Sequence, residues 1–117
     1  MHTLSGGTRQ KVSACLAFLF DPAILILDEP TAGLDPLAAE AVKEKIIAEA
    51  QREKTILITS HIMSDLDDLT TDALYLEEGR ILYSDSIHQL KTETGEIRLG
   101  RAVASIMRRR VSIDEIV

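Results

Sequence analysis

Ala23-Ile24-Leu25-Ile26-Leu27-Asp28-Glu29-Pro30 constrains the fold more than any other stretch of the chain. Five apolar residues run without a break into two adjacent carboxylates and a proline. Such a run reads as a strand buried on both faces, the habit of a central parallel strand. Proline has no N–H to give to a ladder, so the strand is expected to stop near Glu29. Open α/β sheets bind ligands at the carboxyl ends of their strands. Asp28 and Glu29 would stand at that edge. Taken alone, the same residues also describe ordinary core with a polar exit.

A second run, Thr55-Ile56-Leu57-Ile58-Thr59, ends at Ser60-His61 and reads as a second buried strand. Between the two, Asp35 is a good N-cap and Pro36 a good first helical residue. The helix they start is predicted to run to about Glu53, with Ala38, Val42, Ile46 and Ala50 along one stripe and Gln51 to Lys54 as its polar end. Strand, helix and strand make a parallel unit with a right-handed crossover. His61 is then expected at the same sheet edge as Asp28 and Glu29. A lone histidine after a strand is usually incidental, but topology sets this one beside two carboxylates.

Upstream, Val12, Cys15, Leu16, Leu19 and Phe20 share one face of a helical pattern from Thr8 to about Phe20, which Asp21-Pro22 ends. Ser5 is a plausible N-cap. Gly6 and Gly7 leave N–H groups open at the positive end of that helix, where an anion can bind. A plain capped helix after a glycine turn fits the same residues.

Downstream, Ile62 to Leu69 reads as a short acidic helix, and Ala73 to Glu77 with Arg80 to Ser84 as a β-hairpin around Glu78-Gly79. Ser86 is expected to cap a short helix through Leu90, and Gly95 to interrupt. Leu99, Ala102, Val103, Ile106 and Met107 form an amphipathic stripe, mostly flanked by arginines. Those arginines read as the solvated edge of a packed helix, or as a contact for anionic lipid or a partner.

The chain of 117 residues has room for one domain or part of one, and its 45% apolar content suffices for a core. A net charge of −6 gives no general reason to expect nucleic acid. The single cysteine, Cys15, fits a reduced, cytosolic protein and reads as a small core residue. No apolar run approaches the ~20 residues a membrane span needs, and no signal-peptide pattern opens the chain. The chain reads as soluble.

Leu4-Ser5-Gly6-Gly7, Arg9-Gln10, Ile24 to Thr31, Ala32-Gly33-Leu34-Asp35 and Ser60-His61 occur in an order and at spacings that resemble ABC-type ATPases. The resemblance covers about residues 3 to 90. It implies an α/β fold, a P-loop NTPase-like partial parallel sheet flanked by helices, with a C-terminal hairpin and helices. Residues 1–92 correspond to the C-terminal half of a nucleotide-binding domain, and 93–117 to a helical extension. The resemblance also implies roles. Ser5, Gly6 and Gly7 match the signature motif, which contacts the γ-phosphate of ATP held mainly by an opposing subunit. Asp28 matches the Walker B aspartate that helps hold Mg²⁺. Glu29 matches the glutamate that orients or deprotonates the attacking water. Asp35 belongs to the loop that crosses the dimer interface, and His61 matches the switch histidine that contacts the γ-phosphate. The implied partners are ATP, a second nucleotide-binding subunit and a membrane permease, at the inner face of the cell membrane.

Two departures stand out. Thr8 occupies a position where many signatures have glutamine. More consequentially, the sequence contains no G-x-x-x-x-G-K-[S/T] loop, the nest of N–H groups and lysine that holds phosphates. The glutamine loop and the adenine-stacking aromatic are absent as well. The Walker A strand, which in the family lies between the strand ending at His61 and the one near Leu74, is missing with them. A slot in the sheet is expected there, with exposed strand edges or a local rearrangement, and the chain reads as a truncated domain, inactive alone.

Thr8 to Lys11 and Thr94 to Ala102 look most like exporter ATPases, and within these resemble the copper-processing type linked to nitrous oxide reductase maturation. Two alternatives are an ATPase of chromosome maintenance or DNA repair, and a half-domain that only binds a partner. The first usually carries long coiled coils, and this chain has no sustained heptads.

Overall fold

The computed structural model describes residues 18–116, and side chains as far as Val111. The Ser5-Gly6-Gly7 turn, and the predicted helix from Thr8 up to its last residues, lie outside the described residues. The chain divides into two compact units, one ending at His61 and the other beginning at Ile62.

In the first unit, β1 (Ile24–Asp28) pairs in parallel with β2 (Thr55–Thr59). The crossover between them is helix α1 (Pro36–Ala50). The Asp35 side chain accepts from the Ala38 N–H at 2.8 Å, closing the open first turn, and Pro36 follows with no donor to lose. Ala38, Val42 and Ile46 are buried as their spacing predicts.

Two expectations fail here. β1 is not buried on both faces: Leu25 and Leu27 are enclosed, while Ile24 and Ile26 remain 65% and 69% exposed. Successive strand residues point to opposite faces, and only one face of this two-stranded sheet is covered. The α1 stripe ends on Glu49 rather than Ala50, and the helix stops at Ala50, short of Glu53.

Glu49 is buried because it is paired. Its carboxylate accepts from Lys45 at 2.8 Å and from Lys54. Lys54 also donates to Asp21, which receives Arg52 at 3.0 Å. These ion pairs join the segments that precede β1 and β2 to the end of α1, at the sheet edge opposite Asp28. Hydrogen bonds from Lys45, then Lys54, hold the Glu49 carboxyl at about 2, well below its ordinary 4.5.

The second unit contains α2 (Met63–Leu69), the antiparallel hairpin β3 (Asp72–Glu77) and β4 (Arg80–Ser86), α3 (Ile87–Thr94) and α4 (Leu99–Ile116). Glu78 and Gly79 both have positive φ, 48° and 73°, as a two-residue turn matched to strand twist requires. Ser86 caps α3 through the Gln89 N–H at 3.0 Å, and α3 runs past Leu90 to end before left-handed Gly95. Its core joins Ile87, Leu90, Leu99 and Ala102, with Leu66, Tyr83, Val103 and Ile106 against them. Met107, expected on that stripe, is exposed instead. Asp67 of α2 accepts from Lys91 at 2.6 Å and from the Leu99 N–H at 3.0 Å, tying α2 and α3 to the start of α4. Among the described residues β2 pairs only with β1, and β3 only with β4. The described strands thus form two separate two-stranded sheets, one in each unit.

Leu90 is almost completely buried, so Leu90→Ala is expected to cost about 2–5 kcal/mol in urea unfolding. Ile97→Ala, at an exposed position, should stay within about 0.5 kcal/mol. The Glu49 contribution to stability is complete above pH 4.5 and lost as pH falls through about 2. Lys54→Met raises the Glu49 carboxyl, so acid unfolding followed by circular dichroism should begin at a higher pH than in the wild type.

Candidate functional site

Parallel pairing sends the ends of β1 and β2 to one edge. Asp28 closes β1 directly opposite Thr59, whose Oγ1 donates to Asp28 Oδ1. The Glu29 N–H donates to the Thr59 carbonyl at 2.8 Å, the last rung of the ladder. Glu29 then turns left-handed, with φ of 49°, and its carbonyl accepts from the Ala32 N–H at 3.1 Å. A non-glycine residue held there costs on the order of 1–3 kcal/mol, so the surrounding ladder and turn must impose it.

The turn frees the Glu29 side chain from strand alternation, and it meets His61. The distance from His61 Nδ1 to Glu29 Oε1 is 2.9 Å. The His61 side chain is 79% exposed, while that of Glu29 is 34% exposed with its Oε2 enclosed. The hydrogen bond to Glu29, followed by its charge, raises the imidazole above its ordinary 6.5. Because an ionised carboxylate can only accept, Nδ1 carries the proton in this pair. Nε2 is then left for a ligand.

The structure thus brings Asp28, Glu29 and His61 to one edge and joins the last two directly. Asp35 is not part of that group, since its Oδ1 is engaged in capping α1. Ser5, Gly6 and Gly7 lie outside the described residues. Thr59 was not foreseen as a site residue. A signal existed in the sequence: each strand is five residues long, and aligning them end to end pairs Asp28 with Thr59.

Among the described residues no group of three or more acidic, histidine or cysteine side chains could hold a metal ion. Mg²⁺ asks for less, because it keeps several waters and takes one or two carboxylates together with substrate phosphates. Asp28, exposed at the edge with one oxygen bonded to Thr59, fits that demand.

A family model described as "AAA domain, putative AbiEii toxin, Type IV TA system" matches residues 1–67. The match takes in more than half of the chain, which belongs to that AAA-domain family. Homologues that are ABC transporter ATP-binding domains cover most of it. A Nod factor export ATP-binding protein I from Burkholderia orbicola is 40% identical over 87 residues, 74% of this chain and 29% of the relative. One from Rhizobium johnstonii is 41% identical over 90 residues, 77% of this chain and 29% of the relative. ABC transporter A family member 8 of Dictyostelium discoideum is 33% identical over 115 residues, 98% of this chain and 13% of that protein. The chain therefore spans less than a third of the length of these relatives. A solved ATP-binding subunit of an ABC transporter superposes with a TM-score of 0.83 at 28% identity, over 91% of this chain and 45% of that one. A dimeric ATP-binding cassette bound to ADP and Pi superposes with a TM-score of 0.66 at 24% identity, over 73% and 37%, a likeness of fold. The fold is that of a P-loop NTPase-like partial domain, with a parallel sheet and helices.

The His61 pair has a direct signature. In a proton NMR titration the His61 ring should titrate above 6.5 and return towards that value in Glu29→Gln. The pair's contribution to stability is complete below 6.5 and lost as pH rises through the raised value.

Proposed function

We propose that this chain is the catalytic-edge half of an ABC transporter ATPase subunit, and that Glu29 and His61 act together on the γ-phosphate of ATP. The observation that carries the reading is their contact at 2.9 Å beside Asp28, at the carboxyl ends of two parallel strands. Residues 1–92 form this half and 93–117 a helical extension.

Phosphoryl transfer to water needs positioning and charge neutralisation more than covalent chemistry. Glu29 orients the attacking water and accepts its proton as the oxygen bonds to phosphorus. The bond to the bridging oxygen breaks, and ADP leaves. Held through Nδ1 by Glu29, His61 presents Nε2 towards the phosphate. It donates there when the ring is protonated, and the Glu29 carboxylate favours that state. Asp28 would hold Mg²⁺, which supplies charge neutralisation at the phosphates when bound. Thr59 orients Asp28 through its hydroxyl. Ser5, Gly6 and Gly7 would face the nucleotide of an opposing subunit across a dimer, with Asp35 in the loop nearest that contact.

The sequence lacks the phosphate-cradling loop, so these residues alone do not turn over ATP. That loop must come from other polypeptide. The assembled subunit works on the cytoplasmic side beneath a permease, and relatives named for Nod factor export favour the export direction. The copper-processing subtype rests on Thr8 to Lys11 and Thr94 to Ala102, and a neighbouring gene for a copper-handling permease would support it. ABC-type ATPases of DNA repair are disfavoured by the short hairpin and the lack of heptads.

Purified residues 1–117 should show no ATPase activity above background in a phosphate-release assay. In a longer protein that supplies the phosphate loop, Glu29→Gln should lower turnover by about 10²–10⁴-fold while leaving ATP binding intact. Equal loss of binding would remove Glu29 from the water-activating role.

A further inference from the structure

We propose that the outward face of α4 is a docking surface for an anionic lipid bilayer. The chain carries −6 overall, yet five arginines and no acid lie between Ile97 and Val111. Arg110 is turned towards Glu77 and Glu78, at 3.4 and 3.7 Å, and Arg109 reaches the Glu93 carbonyl at 3.4 Å. Arg98, Arg101 and Arg108 are exposed and have no acidic partner among the described residues. Arg101 and Arg108 stand about two turns apart on one side of the helix, about 10 Å along its axis. The opposite side is consumed by the core through Leu99 and Ala102.

Exposed apolar residues lie on and just ahead of the helix. Met107 and Val111 are exposed on α4 itself, and Ile97, two residues before its start, is 87% exposed. A phosphate backbone of nucleic acid would leave those side chains in water. A bilayer surface accepts both kinds of group, guanidinium at the phosphates and apolar tips at the acyl boundary. Charge complementarity with anionic headgroups selects that occupant, at roughly fivefold in affinity per arginine. The surface does not rest on the ATPase reading, since none of its residues belongs to the Asp28, Glu29 and His61 edge.

The test is co-sedimentation of the full 117-residue chain with phosphatidylcholine vesicles, with and without phosphatidylglycerol. Binding is expected only with the anionic lipid, and should weaken as salt is raised. R101E and R108E should each lower it at least about fivefold, with Ile97→Ser also weakening it. R80E makes the same change in net charge on the exposed hairpin and should leave binding unchanged, with circular dichroism checking the fold of every variant. Equal binding to neutral vesicles, equal loss in R80E, no binding at all, or tighter binding to a single-stranded oligonucleotide would each overturn the proposal.

Discussion

The parallel register of β1 against β2 is the constraint on which the site depends. Opposing Asp28 to Thr59 makes the next N–H, that of Glu29, the final rung, and leaves His61 two residues beyond the matching strand end. A slip of one residue would flip the side chains of a strand to its other face and separate these groups. Parallel pairing needs a crossover, and the Asp35-Pro36 start gives one that begins where the turn after Glu29 ends. Local capping chemistry and long-range pairing therefore agree on one arrangement.

The two ends of this small sheet are built differently. At the N-terminal edge, Asp21, Glu49, Lys45, Arg52 and Lys54 neutralise one another, and Lys54 and Glu49 are nearly enclosed. Breaking a pair there leaves a charge with little solvent to compensate it. At the C-terminal edge Glu29 sits in a strained backbone conformation and His61 is largely open to water. A closed ionic clamp at one end holds the strands in register, while the other end keeps its polar groups available. A strained residue held by a ladder is the usual condition of a site where groups must be aimed.

Much of this was legible from residue order. Apolar runs ending in carboxylates or a histidine give strand identity and direction, Asp35-Pro36 and Ser86 give helix starts, and Glu78-Gly79 gives the hairpin. What was not legible has a common cause. Ala50 looked like the continuation of a buried stripe, but Glu49 takes the place because lysines from two segments meet it. Met107 followed the correct spacing and still lies outside, since the core of its unit is already closed by Leu99, Ala102 and Ile106. Burial on both faces was inferred for β1 from composition, which does not say how many layers are present to cover it.

Local covalent facts settled the elements of this protein: proline without a donor, side-chain oxygens at helix starts, a glycine where φ turns positive, and apolar periodicity. They also settled which chemistry-bearing residues end each strand. Only the tertiary structure decided that the Glu29 carboxylate meets His61 and that a buried glutamate is tolerable in α1. Those outcomes depend on distances between segments far apart in sequence, where pairing of charge and hydrogen bonds outweighs the cost of leaving water, and no local pattern encodes that balance.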